Sequence, residues 1–236
     1  MTDIKIIGDV HGFVYPYLAK IKNAECSIQL GDFGFAKEWY ELEKQNINSS
    51  QHKIIPGNHE DYYGIREQYT FGKDFGDVSF NGLDFFFVRG AWSIDYAWRT
   101  AGVNWWYQEE IESERLEQAI ELYADIKPDV MLTHDCPGDM VDGISTILFG
   151  AMWHPNRTSS ALHRMWQIHQ PKLWMFGHWH KLMAAPIRNT TFVCLDELSV
   201  VNYQIDHIGN DIDWNIVQIK EQINAIKKSR MKDVKW

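Results

Sequence analysis

The sequence predicts an α/β protein whose front half alternates strands with helices and whose last third is rich in strands. Two observations predict it. Short apolar runs of β-branched residues alternate with amphipathic stretches, and several of those runs end in a glycine followed by a carboxylate, an amide or an imidazole.

The first run, around Ile4, Ile6 and Ile7, leads into Gly8-Asp9-Val10-His11-Gly12. Asp9 and His11 are two residues apart. In extended backbone both side chains point to one side, so an oxygen and a nitrogen can reach one ion as the strand breaks into a turn. Phe13, Val14, Tyr17, Leu18 and Ile21 then recur at helical spacing. A second strand, Ser27 to Leu30, ends in Gly31-Asp32-Phe33-Gly34, which puts a carboxylate at the carboxyl end of a strand, where open α/β sheets carry their sites. Trp39, Tyr40, Leu42 and Ile47 mark another amphipathic stretch. The third strand, Lys53-Ile54-Ile55, ends in Gly57-Asn58-His59-Glu60.

Asp61 to Gln68 is expected to be helical. Asp77 to Phe80 and Leu83 to Val88 read as a hairpin, with Asn81-Gly82 forming a type I′ turn. Gly90 to Tyr107 has no clean period and holds Trp92, Tyr96, Trp98, Trp105, Trp106 and Tyr107, with Arg99 among them. It reads as a long loop whose rings bury it against the body, stack a base or shape a groove. Glu112 to Ile126 is the clearest helix, with Leu116, Ala119, Ile120 and Tyr123 on one face and Pro128 after its end. Asp129 to Thr133 is a strand that presents His134. A loop is expected from Asp139 to Asn156, then a helix capped by Thr158 or Ser159. Lys172 to Phe176 is a strand running into Gly177-His178-Trp179-His180. Met183 to Ile187, Thr191 to Leu195, Val200 to Ile205 and Trp214 to Ile219 read as further strands.

With 236 residues the chain suits one domain, expected over 1–219, with a basic helix-prone tail over 220–236. A net charge of −9 argues against a protein that coats nucleic acid, because such affinity comes from clustered Lys and Arg. It does not exclude a nucleotide substrate, since bound cations would reverse the local field. Cys26, Cys136 and Cys194 show no paired spacing, which suits a reducing compartment. No leader pattern and no bilayer-spanning stretch is read, so a cytoplasmic protein without membrane partners is expected.

Five strand ends therefore offer Asp9, His11, Asp32, Asn58, His59, His134, His178 and His180. Imidazole, carboxylate and amide oxygen make an intermediate ligand set suited to Mn²⁺, Fe²⁺ or Zn²⁺. The series Asp9-Val10-His11, Gly31-Asp32, Gly57-Asn58-His59-Glu60, His134 and Gly177-His178-Trp179-His180 resembles, in order, the five-block signature of the calcineurin-like metallophosphoesterases. The resemblance implies two mixed β-sheets packed as a sandwich with helices on both outer faces. It also implies two divalent cations, Mn²⁺ first, with Fe²⁺, Zn²⁺ or Ni²⁺ as alternatives. One would be held by Asp9, His11, Asp32 and His180, the other by Asp32, Asn58, His134 and His178, with Asp32 bridging. His59 would hold no metal; it would sit beside the phosphate and act on the leaving group.

The implied activity is hydrolysis of a phosphodiester or phosphomonoester of a small, nucleotide-like substrate by in-line attack of an activated water. The protein serine/threonine phosphatase branch carries a second acid and two arginines that are missing from the corresponding stretches here. Arg89 and Arg99 could replace those arginines as a phosphate clamp, but read first as surface residues. With the family's usual arginines missing and an aromatic-rich loop from Trp92 to Tyr107, diester hydrolysis is expected to be at least comparable with monoester hydrolysis. A nuclease of the same superfamily, supported by the basic tail, and a catalytically inactive metal-binding scaffold are the competing readings.

Overall fold

Two β-sheets face each other across a layer of interdigitated apolar side chains, and each carries helices on its far side. The computed structural model describes residues 2–149, 155–205 and 212–233. In chain order the elements are β1 (Thr2–Ile7), α1 (Val14–Ile21), β2 (Cys26–Gln29), α2 (Ala36–Lys44), β3 (His52–Ile54), β4 (Phe75–Phe80), β5 (Leu83–Val88) and α3 (Ser113–Ile126). There follow β6 (Val130–Thr133), α4 (Gly138–Phe149), α5 (Arg157–Ile168), β7 (Leu173–Phe176), β8 (Met183–Ile187), β9 (Thr190–Cys194), β10 (Val200–Ile205) and α6 (Ile212–Asp233).

One sheet has the order β10-β1-β2-β3, with β1, β2 and β3 parallel and β10 antiparallel at its edge. The other has the order β4-β5-β6-β7-β9-β8, parallel from β5 to β9 and antiparallel at both edges. Both are mixed sheets, as the sandwich expected from the resemblance requires.

Strand alternation builds the layers. Phe85 and Phe87 face the inter-sheet core with Leu132, Met175 and Val193, opposite Ile4, Ile6 and Ile28. Their neighbours Phe86, Val88, Met131, Trp174 and Phe192 turn outward onto Leu116, Ile120 and Tyr123 of α3 and Leu162, Met165 and Trp166 of α5. On the other outer face Val14, Tyr17 and Ile21 of α1 and Trp39 and Leu42 of α2 cover Ile7 and Ile54. The hairpin turn has Asn81 at φ 50° and Gly82 at φ 88°, the two positive angles that a type I′ turn needs.

Four expectations are corrected. Asp61 to Gln68 is not a helix: the Asp61 side chain accepts from Tyr63 N at 3.0 Å in an Asx turn, and only Glu67–Tyr69 forms a single 3₁₀ turn. Much of the expected loop from Asp139 is α4, in which Met140, Val141 and Ile144 pack into the outer core beside α5 despite Gly143; residues 150–154 lie outside the described residues. The helix after it is capped by Asn156, whose side chain accepts from Ser159 N at 2.8 Å. Trp214 to Ile219 belongs to α6, not to a strand. Ile216, Ile219 and Ile223 of that helix enter the inter-sheet core at helical spacing, worth about 1.5–3 kcal/mol for each fully buried side chain. α6 runs without a break past residue 219, and residues 234–236 of the expected tail lie outside the described residues. Among the described residues, no helix is long and apolar enough to cross a membrane.

Candidate metal centre

The parallel strands β1, β2 and β3 of one sheet and β6 and β7 of the other point their carboxyl ends to the same end of the sandwich. Asp9 and His11 follow β1, Asp32 follows β2, Asn58 and His59 follow β3, His134 follows β6, and His178 and His180 follow β7. The structure brings all eight together there.

They converge as two overlapping groups. In the first, His11 Nε2 lies 3.6 Å from Asp9 Oδ2 and 3.6 Å from Asp32 Oδ2, and His180 Nε2 lies 3.0 Å from Asp9 Oδ2. The two imidazole nitrogens are 2.8 Å apart. In the second, His134 Nε2 is 3.1 Å from Asp32 Oδ1 and 3.0 Å from Asn58 Oδ1. Asp32, His134 and His178 each offer a donor atom to this group, and Asp32 is common to both. Its carboxylate turns one oxygen to each group.

The donor set fits cations. His178 Nε2 is buried with no hydrogen-bond partner among the described residues, an arrangement that disfavours a polar atom unless something else meets it. His134 Nδ1 donates to Leu30 O at 2.6 Å, so in the neutral ring the Nε2 lone pair would face Asp32 and Asn58. Close approach is built in at two glycines. A methyl on Gly57 would lie 2.7 Å from His134 Nε2 and nearer still to Asp32, and one on Gly177 would strike the Asp9 carboxylate. His11 (φ 45°), Asp32 (55°), His178 (64°) and His180 (45°) all hold left-handed backbone, which costs a non-glycine residue about 1–3 kcal/mol. Strain gathered on four neighbouring polar residues marks a site where donor placement outranks backbone comfort.

The electrostatics match that reading. Burial works against the Asp9 carboxylate, but hydrogen bonds to His11 and His180 hold its pKa at about 2. Asp32 is held well below the usual carboxylate range against the same burial, chiefly by His134. Burial likewise opposes the charged form of His134, yet Asp32 and Asp9 outweigh it and raise the imidazole to about 10. A cation at this position would take over the work of that proton. His178 is pushed down, first by burial.

His59 belongs to neither group. Its ring sits edge-on to that of His11 at 4.8 Å, and it lines a cleft of about 250 Å³ with His11, Gly12, Gly34, Phe35 and Glu38. Burial lowers its pKa to about 4, with Arg99 and His11 adding to the effect against Asp32.

Several further residues support the site, and of these Glu60 alone stands inside one of the five motifs, without a role assigned to it there. Glu60 is buried and accepts from Phe33 N at 2.8 Å, Gly34 N at 3.0 Å and Gly57 N at 3.2 Å, which ties the turn after β2 to the turn after β3. Asp135 accepts from Trp179 Nε1 at 3.1 Å and so steadies the turn that carries His178 and His180. Ser93, in the aromatic loop, joins Glu109, just after it, to Asn58 through its Oγ. Arg89 and Arg99 are not surface arginines: their side chains are 13% and 4% exposed. Arg89 is spent on Asp74 at 2.7 Å and Gln108 O at 2.7 Å, whereas Arg99 donates to His59. Of the loop's rings, Trp106 is buried against Phe35 and Trp98 is left in solvent.

A family model described as calcineurin-like phosphoesterase matches residues 2–182. No curated protein matches the chain significantly. Among solved structures, a conserved protein of Streptococcus pneumoniae described as a predicted phosphoesterase is 11% identical, with a TM-score of 0.39, over 87% of this chain and 83% of that one. An archaeal phosphodiesterase is 16% identical with a TM-score of 0.38 over 83% and 84%. The phosphopantetheinyl hydrolase of Mycobacterium tuberculosis is 14% identical with a TM-score of 0.40 over 83% and 90%.

Proposed function

Because this chain belongs to the calcineurin-like phosphoesterases, metal-dependent hydrolases of phosphoric esters, we propose that it is a binuclear enzyme acting on a small, nucleotide-like phosphoester. The observation that carries the proposal is Asp32, with one carboxylate oxygen toward each donor group, beside the unpartnered Nε2 of His178. Asp9, His11, Asp32 and His180 are proposed to hold one ion, and Asp32, Asn58, His134 and His178 the other. Bound there, two divalent cations would supply Lewis acidity toward phosphoryl oxygens and lower the pKa of water. Mn²⁺ is the first candidate, since oxygen and imidazole donors without thiolate suit it.

The chain's own residues supply the rest. His59 lines the cleft without joining either donor group, which suits a residue that gives the leaving oxygen its proton as the P–O bond breaks. An arriving phosphoryl group brings negative charge beside that imidazole and offers Arg99 a stronger acceptor than a ring nitrogen; both changes favour the protonated ring. Glu60 and Asp135 hold the turns that present the donors. Cys26, Cys136 and Cys194 are free and buried, which suits work in a reducing compartment such as the cytoplasm.

The test is a hydrolysis panel of aryl phosphate monoesters and diesters and nucleotides, run with Mn²⁺, Mg²⁺, Zn²⁺ or Fe²⁺ and with chelator. Turnover that chelator abolishes and a divalent cation restores is expected. Turnover indifferent to chelator, or none with any ion, would overturn the proposal.

A further inference from the structure

The aromatic loop brings a cation to the site that the five motifs do not contain. Arg99 sits on the segment between β5 and α3, far in sequence from every expected donor, yet its guanidinium Nη2 lies against the His59 ring, 3.3 Å from Nδ1 and bonded to Nε2. Its side chain is held from behind. Nε donates to Asp95 Oδ1 at 2.5 Å and Nη1 to Asn104 O at 3.0 Å. The segment that carries it is closed on itself by Thr100 N to Asn104 Oδ1 at 2.6 Å and Gly102 N to Trp105 O at 2.9 Å. It is moored to the body by Gly90 N to Pro56 O at 2.8 Å and Ala91 N to Glu109 O at 3.1 Å. Three of the five N–H donors of the guanidinium are met in this way, which leaves two for a ligand among the described residues.

A neutral imidazole is a weak acceptor for a guanidinium, and a phosphoryl group with two charged oxygens is a strong one. We infer that Arg99 binds the terminal oxygens of the substrate's phosphoryl group, so that the site selects phosphomonoesters over phosphodiesters. The inference rests on the phosphoesterase reading and adds the substrate class to it. Two physical arguments support it. A monoester carries an additional negative charge that a fixed cation rewards, whereas a diester places an organic group on one of those oxygens. The space matters as well. The cleft that His59 lines with Gly12, Gly34, Phe35 and Glu38 can take one substituent, the leaving alcohol, and the 4% exposed Arg99, bonded to His59, is not among its lining residues. The expectation of comparable diester hydrolysis follows from the missing family arginines and the aromatic loop, with Arg99 left as an alternative clamp; the position of Arg99 beside His59 favours that alternative.

The Mn²⁺-loaded full chain is assayed with p-nitrophenyl phosphate and bis(p-nitrophenyl) phosphate, and inorganic phosphate binding is measured by calorimetry at fixed ionic strength. Wild type is expected to prefer the monoester. Loss of a charge-assisted bond should lower the monoester-to-diester ratio of kcat/KM in Arg99→Met by about 10- to 100-fold and weaken phosphate binding by a similar factor. Arg99→Lys, which keeps the charge without the planar fork, should fall between, and it decides the question if Arg99→Met does not hold its metals. A diester preference in wild type, or a ratio and a phosphate affinity in these variants within threefold of wild type, would overturn the role of Arg99 while leaving the phosphoesterase reading intact. Wild type that turns over neither ester with any divalent cation overturns both.

Discussion

Glu109 accepts from both donors of Ser93, the backbone N at 2.8 Å and the hydroxyl at 2.6 Å. With its proton committed to Glu109, Ser93 Oγ can only accept from Asn58, whose Nδ2 donates to it at 3.1 Å. That fixes which way the Asn58 amide points, with Oδ1 toward His134 and the second donor group. Ser93→Ala should free the amide to rotate. Partners that orient a ligand typically affect metal affinity by 10- to 100-fold, so Mn²⁺ titration should show one ion bound about 10- to 100-fold more weakly and the other little changed. Two affinities equal to those of wild type would remove Ser93 from this role.

The same relay predicts a pH effect on stability. Burial raises the Glu109 pKa from its ordinary 4.5 to about 7, although the bonds from Ser93 pull the other way. Between those values the folded chain holds a proton on Glu109 that the unfolded chain has released. The contribution to stability is therefore full below about pH 4.5 and is lost as pH rises through about 7. Urea unfolding of wild type and Glu109→Gln from pH 5 to 7.5 should show a steeper decline in wild type, because glutamine does not titrate. Parallel pH profiles would show that Glu109 is ionised throughout.

Much of this arrangement is legible in the sequence, and the reason is local. The donors sit on the first residues after strands, next to glycines that permit tight turns, so Gly31-Asp32 or Gly177-His178 announces both the end of a strand and its chemistry. What was not legible depends on tertiary contact. Arg99, Ser93 and Glu109 lie in a segment without period, and nothing in its spacing says that it folds back on β3's turn. The α6 error has a similar cause. Trp214, Ile216 and Val217 can be read as a strand, and only the continuation through Ile219 and Ile223 into the inter-sheet core gives the helical period. In α4, Gly143 and the β-branched residues around it conceal a helix that packing beside α5 stabilises.

Asp32 is the residue whose loss should be felt at both groups. Asp32→Ala removes the carboxylate common to them, and Asp32→Asn removes its charge, so either change should lower metal occupancy at both positions and abolish turnover. The measurement is metal analysis of purified protein beside the hydrolysis assay. Two tightly held ions in Asp32→Ala would rule out a shared ligand.

His59 should behave differently, because it lies outside both donor groups and lines the cleft that the leaving alcohol would occupy. His59→Asn is expected to keep both ions. As the P–O bond breaks, charge develops on the leaving oxygen in proportion to the basicity of the alcohol, so a proton donor matters most for poor leaving groups and least for p-nitrophenolate. A lost general acid typically lowers the rate by about 10²–10⁴, and the low end of that loss or less is expected for the activated aryl ester. The informative experiment is therefore a series of phosphate esters with leaving groups of graded pKa, with log kcat/KM plotted for wild type and variant. The slope should be steeper for His59→Asn, with the lines converging toward the most acidic leaving group. Parallel lines would assign His59 to binding the phosphoryl group rather than to proton transfer, and loss of an ion from the variant would make it a metal ligand instead.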